Sequence, residues 1–135
     1  MLYSEKMSRY TRVWTDGGTS SNVPPYGIGY GSFRIGINGK NVAINFNTKM
    51  SANAAEIYTM AHALAKCESE FIRIYSDSRV ALKWLKDATE SQLEIKESIS
   101  DEMKKAIALL RQNAIGKTIQ GKWRPREQIF KIFGH

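Results

Sequence analysis

The sequence predicts an α/β fold, a mixed five-stranded sheet with its first three strands antiparallel and helices on both faces. Three observations carry this expectation: a cluster of β-rich stretches before residue 50, an Asn38-Gly39 dipeptide inside that cluster, and a later alternation of helical and β-rich segments. At 135 residues the chain fits one domain spanning 1–135, with residues 1–10 as an N-terminal extension.

Each element has a local reason. Residues 11–17 are rich in β-formers and close on Gly17-Gly18, which reads as a strand running into a tight turn with Asp16 at its carboxyl end. After a Ser/Asn/Pro-rich loop, Tyr26, Ile28, Tyr30 and residues 33–37 alternate with Gly and polar residues, as in a second strand. Asn38-Gly39 favours the positive φ values of a two-residue turn, so residues 41–47 should return antiparallel. Ser51 and the Ala-rich run through Lys66 have helical composition, with Glu56 in the first two turns. Residues 71–75 form a β-rich apolar run ending at Ser76-Asp77-Ser78, after which Val80, Ala81, Trp84 and Leu85 give an amphipathic helix. Asp77 thus marks a second strand end, at a helix mouth. Residues 94–115 read as one longer helix through Ile95, Ile99, Met103, Ile107 and Leu110, acidic at its start and basic at its end as the helix dipole favours. Residues 118–123 supply the last strand, Pro125 suits the first turn of a terminal helix, and Ile129 to Phe133 read as an exposed apolar stub.

Composition narrows the function classes. Apolar residues at 42% and charged residues at 24% exclude a disordered chain. No run approaches the ~18 apolar residues of a membrane span, and the polar residues 1–12 lack a secretory apolar stretch, so a cytoplasmic protein with no membrane partner is expected. Cys67 is the sole cysteine, which rules out an internal disulfide or a CxxC metal knuckle; a monomer is expected. The net charge of +7 gathers at the two ends and points to a polyanionic partner. His62 falls on a different helix face from Glu56 and reads as a surface residue, while Trp14, Trp84 and Trp123 read as core.

In a mixed sheet, polar groups at strand carboxyl ends gather at one crevice, and Asp16 and Asp77 are both placed there. Carboxylates held together beside apolar sequence repel one another unless a cation neutralises them. Oxygen-only ligands favour hard ions such as Mg²⁺, and two such ions ~4 Å apart can activate a water and stabilise a leaving oxygen in phosphodiester displacement.

The segments Thr15-Asp16-Gly17-Gly18, Asn53-Ala54-Ala55-Glu56 and Tyr75-Ser76-Asp77-Ser78, in that order on strand, helix and strand, resemble the signature segments of the type 1 ribonuclease H family. The resemblance extends to Asn22 six residues after the first Asp, to Tyr26-Gly27-Ile28-Gly29, and to Pro125-Arg126-Glu127-Gln128. It implies a ribonuclease H-like fold and a two-metal endonuclease that cuts the RNA strand of an RNA–DNA hybrid, leaving 5′-phosphate and 3′-hydroxyl ends. Asp16 then corresponds to the ligand shared by both ions, and Glu56 and Asp77 to ligands on the leaving-group side. Gly17, Asn22, Asn53, Ser78 and Arg79 match positions at which the family contacts the hybrid.

The chain departs from that pattern at its end. The family carries a fourth acid in its terminal helix, and the matching position falls at Phe133 or, with a small shift, at His135. His135 is taken as the stand-in ligand, with its terminal carboxylate and Glu127 as rivals. An imidazole suits Mn²⁺ better than Mg²⁺, so a Mn²⁺ preference is expected. Little room remains for the extra basic helix of some family members, leaving Lys117, Lys122, Arg124, Arg126 and Lys131 to supply hybrid-binding charge. The alternatives are a catalytically weak or inactive hybrid-binding or RNA-binding module, and a domain that docks onto a larger replication assembly.

Overall fold

A computed structural model describes residues 9–90 and 98–134. The elements run β1 (Thr11–Thr19), β2 (Ile28–Ile35), β3 (Asn41–Lys49), α1 (Ala52–Lys66), β4 (Phe71–Ser76), α2 (Arg79–Glu90), α3 (Asp101–Asn113), β5 (Thr118–Trp123) and α4 (Arg126–Phe133). The sheet order is β3-β2-β1-β4-β5; β1, β2 and β3 are antiparallel neighbours, and β4 and β5 extend the sheet in parallel from β1.

Alternation along the strands sorts their side chains onto two faces. Val13, Thr15, Phe33, Ile72 and Ile74 are buried on the first face, beneath α1 and its buried Ile57, Met60 and Leu64. α3 packs on α1, where the Asn113 amide donates to the Ala61 carbonyl at 2.8 Å, and α2 sets Leu82 and Leu85 over Gly121 of β5. The second face carries Trp14 stacked on Tyr75, with α4 laid across it through the fully buried Ile129. The helices therefore do occupy both faces.

Two glycines fix how closely α1 approaches. Gly17 and Gly31 are register partners on β1 and β2. A Cβ on Gly17 would stand 2.8 Å from backbone atoms of Ala55 and Glu56, and one on Gly31 would collide with Thr59. The paired bare positions form a flat seat for the helix.

Several boundaries differ from the sequence reading. β1 continues through Gly17 and Gly18 to Thr19, so Asp16 is not at a strand end. It lies instead just past Trp14, the last residue of β1 paired with β4, where the two strands part. The β2–β3 connection is longer than a two-residue turn. Gly36 takes the positive φ of 79°, Gly39 N–H closes back on the Gly36 carbonyl, and Arg34 pairs with Asn41. α3 starts at Asp101 because the Ser100 hydroxyl accepts from Met103 N–H and caps it; Ile95 lies outside the described residues. In the stub from Ile129 to Phe133, Ile129 is fully buried and Phe130, Ile132 and Phe133 are half-buried, so it is not the exposed apolar stub expected. Trp123 is 38% exposed rather than core. His62 is half-buried beside Phe46, its Nδ1 2.8 Å from the Tyr58 carbonyl, rather than a free surface residue. Trp84 is partly buried against the core, and Cys67 is buried.

Leu64 on α1 is 1% exposed within the hydrophobic core cluster. Leu64→Ala is expected to destabilise the fold by about 2–5 kcal/mol, read from the denaturant midpoint at unchanged m-value.

Candidate active site

Three elements deliver one carboxylate each. Asp16 comes from β1 beyond its last β4 partner, and Asp77 follows β4 directly. Both belong to the second sheet face by alternation with Trp14 and Tyr75. Glu56 comes from the second turn of α1, whose start is held by the Ser51 hydroxyl accepting from Ala54 N–H at 3.2 Å. Because α1 sits against bare Gly17, Glu56 reaches its partners, and carboxylate oxygens of Asp16, Glu56 and Asp77 all lie within 4.8 Å of one another.

The electrostatics are unfavourable as they stand. Glu56 is only 6% exposed, and one oxygen, Oε2, is buried with no hydrogen-bond partner. Burial, then the charges of Asp16 and Asp77, push its carboxyl well above the usual carboxylate range; a backbone hydrogen bond from Gly17 pulls the other way and loses. A buried, unpartnered carboxylate oxygen facing two further carboxylates is what a hard dication satisfies, so the donor set fits a divalent metal ion.

The surrounding cleft, about 450 Å³, is lined by Gly17, Asn53 and Ser78 beside the three acids. The Ser78 hydroxyl accepts from Ala81 N–H at 3.1 Å and caps α2, which leaves its own hydrogen for an incoming oxygen. The other two expected substrate contacts stand outside the lining. Asn22 accepts from Ala52 N–H at 2.9 Å at the head of α1, and the Arg79 guanidinium lies 4.0 Å over the Trp123 ring. Glu127 is exposed on α4 and does not join the acidic cluster; His135 lies outside the described residues.

Sequence reasoning did not place Tyr30, Arg126 and Phe130 in the cleft wall. Tyr30 is the register partner of Gly18, and its ring packs against that glycine, a relation visible only once the β1–β2 register is known. Arg126 Nε stands 3.5 Å from Asp77 Oδ2, with its side chain 75% exposed. The signal for it was the Pro125-Arg126-Glu127-Gln128 segment, read as part of the family resemblance and as hybrid-binding charge but not as a partner of Asp77. Lys117, by contrast, is turned inward, its Nζ donating to the carbonyls of Cys67 and Ser69, so it adds little to a basic surface.

An RNase H family model matches residues 8–125 of this chain. Solved structures share the fold. RNase H1 from the halophilic archaeon Halobacterium salinarum NRC-1 is 18% identical with a TM-score of 0.63, covering 89% of each chain. The N-terminal RNase H domain of a Mycobacterium tuberculosis protein is 16% identical with a TM-score of 0.65, covering 90% of this chain and 87% of that one. LC11-RNase H1, solved in complex with an RNA/DNA hybrid, is 17% identical with a TM-score of 0.60, covering 90% and 89%. No curated protein sequence matches.

The raised Glu56 pKa fixes the sign of a stability effect. The folded chain keeps that proton at pH values where the unfolded chain has released it, so metal-free stability falls as pH rises through the range above 4.5. In EDTA, Glu56→Gln is expected to melt at a higher temperature than the parent at pH 8, with the gap closing toward pH 4. Equal melting temperatures at pH 8 would contradict the repulsion described.

Proposed function

The chain belongs to the RNase H family, and from that membership and the geometry of its three carboxylates we propose that it is a metal-dependent endonuclease hydrolysing the RNA strand of RNA–DNA hybrids. The products of this reaction are 5′-phosphate and 3′-hydroxyl ends. The observation that carries the proposal is the convergence of Asp16, Glu56 and Asp77 around a buried, unpartnered Glu56 oxygen.

In this reading Asp16 is the shared ligand of two divalent cations, Mg²⁺ or Mn²⁺, and Glu56 and Asp77 hold the one nearer the leaving group. Held by these three carboxylates, divalent cations would supply the Lewis-acid chemistry that activates a water and stabilises a departing oxygen. The chain's own groups position the substrate. Gly17 brings backbone to the cleft wall, while Asn53 and the Ser78 hydroxyl offer hydrogen bonds to the hybrid backbone. Donors and acceptors of this kind can read a 2′-hydroxyl, which separates RNA from DNA. Asn22 holds the start of α1, and Arg79 lies on the α2 side of Asp77; both are proposed to contact the hybrid at the cleft's edges. Arg126, paired with Asp77 through a largely exposed side chain, supplies a guanidinium at the cleft that can reach a substrate phosphate.

α4 presents Arg126 and Phe130 to the cleft, and Phe133 follows at the next helical spacing, where the family has an acid. We assign His135, just beyond, as the fourth ligand. Phe133 also favours a second reading, in which the chain binds hybrids but cleaves them weakly or not at all.

Asp16→Asn is expected to cut cleavage of an end-labelled hybrid in Mn²⁺ by at least about a hundredfold, since ligand loss removes several kcal/mol of transition-state stabilisation. Full cleavage by the variant would defeat the proposal, and binding without cleavage by the parent would favour the second reading. Cleavage by the parent should be faster in Mn²⁺ than in Mg²⁺, and removal of His135 should erase that preference. A rate ratio favouring Mg²⁺, or Mn²⁺ turnover unchanged by the deletion, would exclude His135 as a ligand.

A further inference from the structure

α4 divides the second sheet face in two. Its Arg126 and Phe130 line the acidic cleft, whereas Ile129 and Lys131 look the other way, into a separate concavity of about 320 Å³. Arg12, Trp14, Tyr75 and Arg124 also line that second concavity, and none of its lining residues is acidic. Trp14 and Tyr75 stack with centroids 5.4 Å apart and planes 22° apart, and the Arg124 guanidinium lies 4.7 Å over the Tyr75 ring.

The pattern continues beyond the concavity. Arg73 is the register partner of Arg12, and Lys122 that of Tyr75, so both stand on the same face beside it. Arg73 in turn lies 4.8 Å over the Tyr10 ring. By alternation, the only acids on this face along β1, β4 and β5 are Asp16 and Asp77, at the edge shared with the acidic cleft. Cations interleaved with aromatic rings, without carboxylates among them, match a ligand with both a phosphate chain and flat rings. A duplex keeps its bases stacked inside, and an acidic peptide lacks them. A single strand presents both.

We propose that this concavity binds single-stranded nucleic acid, with Arg12, Arg124 and Lys131 taking phosphates and the half-buried Trp14, backed by the buried Tyr75, offering its ring to a base. The site is separate from the metal-ligand cluster and needs no catalysis. Its expected use is to hold an unpaired tail adjoining a hybrid in the acidic cleft, and only that use rests on the function proposed above.

Binding of fluorescein-labelled 12-mers of oligo(dT) and oligo(rU) to the full chain, followed by anisotropy in EDTA, tests the proposal independently of cleavage. Both oligomers are expected to bind, because phosphates and ring faces are common to DNA and RNA. Arg12 is exposed, so Arg12→Glu should leave the fold intact, checked by its melting curve, while weakening both complexes roughly tenfold and making log K less steep against log salt. Trp14→Leu should weaken binding with the salt slope unchanged. If that variant unfolds, the Arg12→Glu measurement decides alone. The proposal is overturned if neither oligomer binds, if Arg12→Glu leaves affinity unchanged, or if polyglutamate displaces the oligomers as well as unlabelled oligomer does.

Discussion

The close seating of α1 on the bare rung formed by Gly17 and Gly31 is the constraint on which the site depends. It brings the helix backbone against the sheet, buries Ile57, Met60 and Leu64, and carries Glu56 inward with them. An isolated carboxylate would not enter such surroundings, because ionised groups lose far more hydration there than they recover. Here the apolar side chains one turn along the helix drive the burial, and Glu56 follows as a consequence of the helix register. The two acids already present then make the position electrostatically strained in the absence of a cation. Stability and chemistry are thus opposed at one residue, as is common where a site needs concentrated charge.

The two faces of the sheet divide the labour. The first is apolar and supplies the packing that makes the domain rigid. The second is polar and aromatic, and α4 splits it into an acidic compartment and a basic one. Both compartments draw on the same short strands: β1 contributes Arg12 and Trp14 to one and Asp16 to the other, while β4 contributes Tyr75 to one and leads into Asp77 at the other. The switch in charge takes four residues in each case, from Arg12 to Asp16 along β1 and from Arg73 to Asp77 along β4 and just past it. Such a gradient orients an anionic chain as well as attracting it.

Much of this was legible in the sequence, because strand alternation and carboxylate placement are local properties. Asp77 follows a β-rich run and precedes an amphipathic helix, and nothing beyond that pattern was needed to place it at a strand end. The three acids could be grouped because their segments, taken in order, resemble a known family. What escaped reading depended on relations between distant residues. The turn after β2 is set by Gly36 adopting positive φ and by Gly36 N–H bonding to the Arg12 carbonyl on β1, so the adjacent Asn38-Gly39 signal was overruled. Arg126 could be seen as charge but not as a partner of Asp77, since a long side chain's direction is decided by what it faces. Trp123 reads as core by its neighbours, yet it sits on an edge strand, with Arg79 over its ring and its indole N–H on the Asp77 carbonyl.

The far end of α4 is tied to the β2–β3 arm. Arg34 Nη2 and Asn41 Nδ2 both donate to the Ile132 carbonyl at 3.0 Å, and Arg34 Nε also grips the Asn41 side chain at 2.7 Å. One helix therefore has its head at the acids and its foot anchored in a hairpin. The foot sets the pitch of the partition between the two compartments, so the hairpin works as a tiller. Its lengthening or shortening would shift Ile132, itself in the wall of the basic concavity, and through α4 carry Lys131 and Arg126 with it, so that a change far from the acids would reach both clefts.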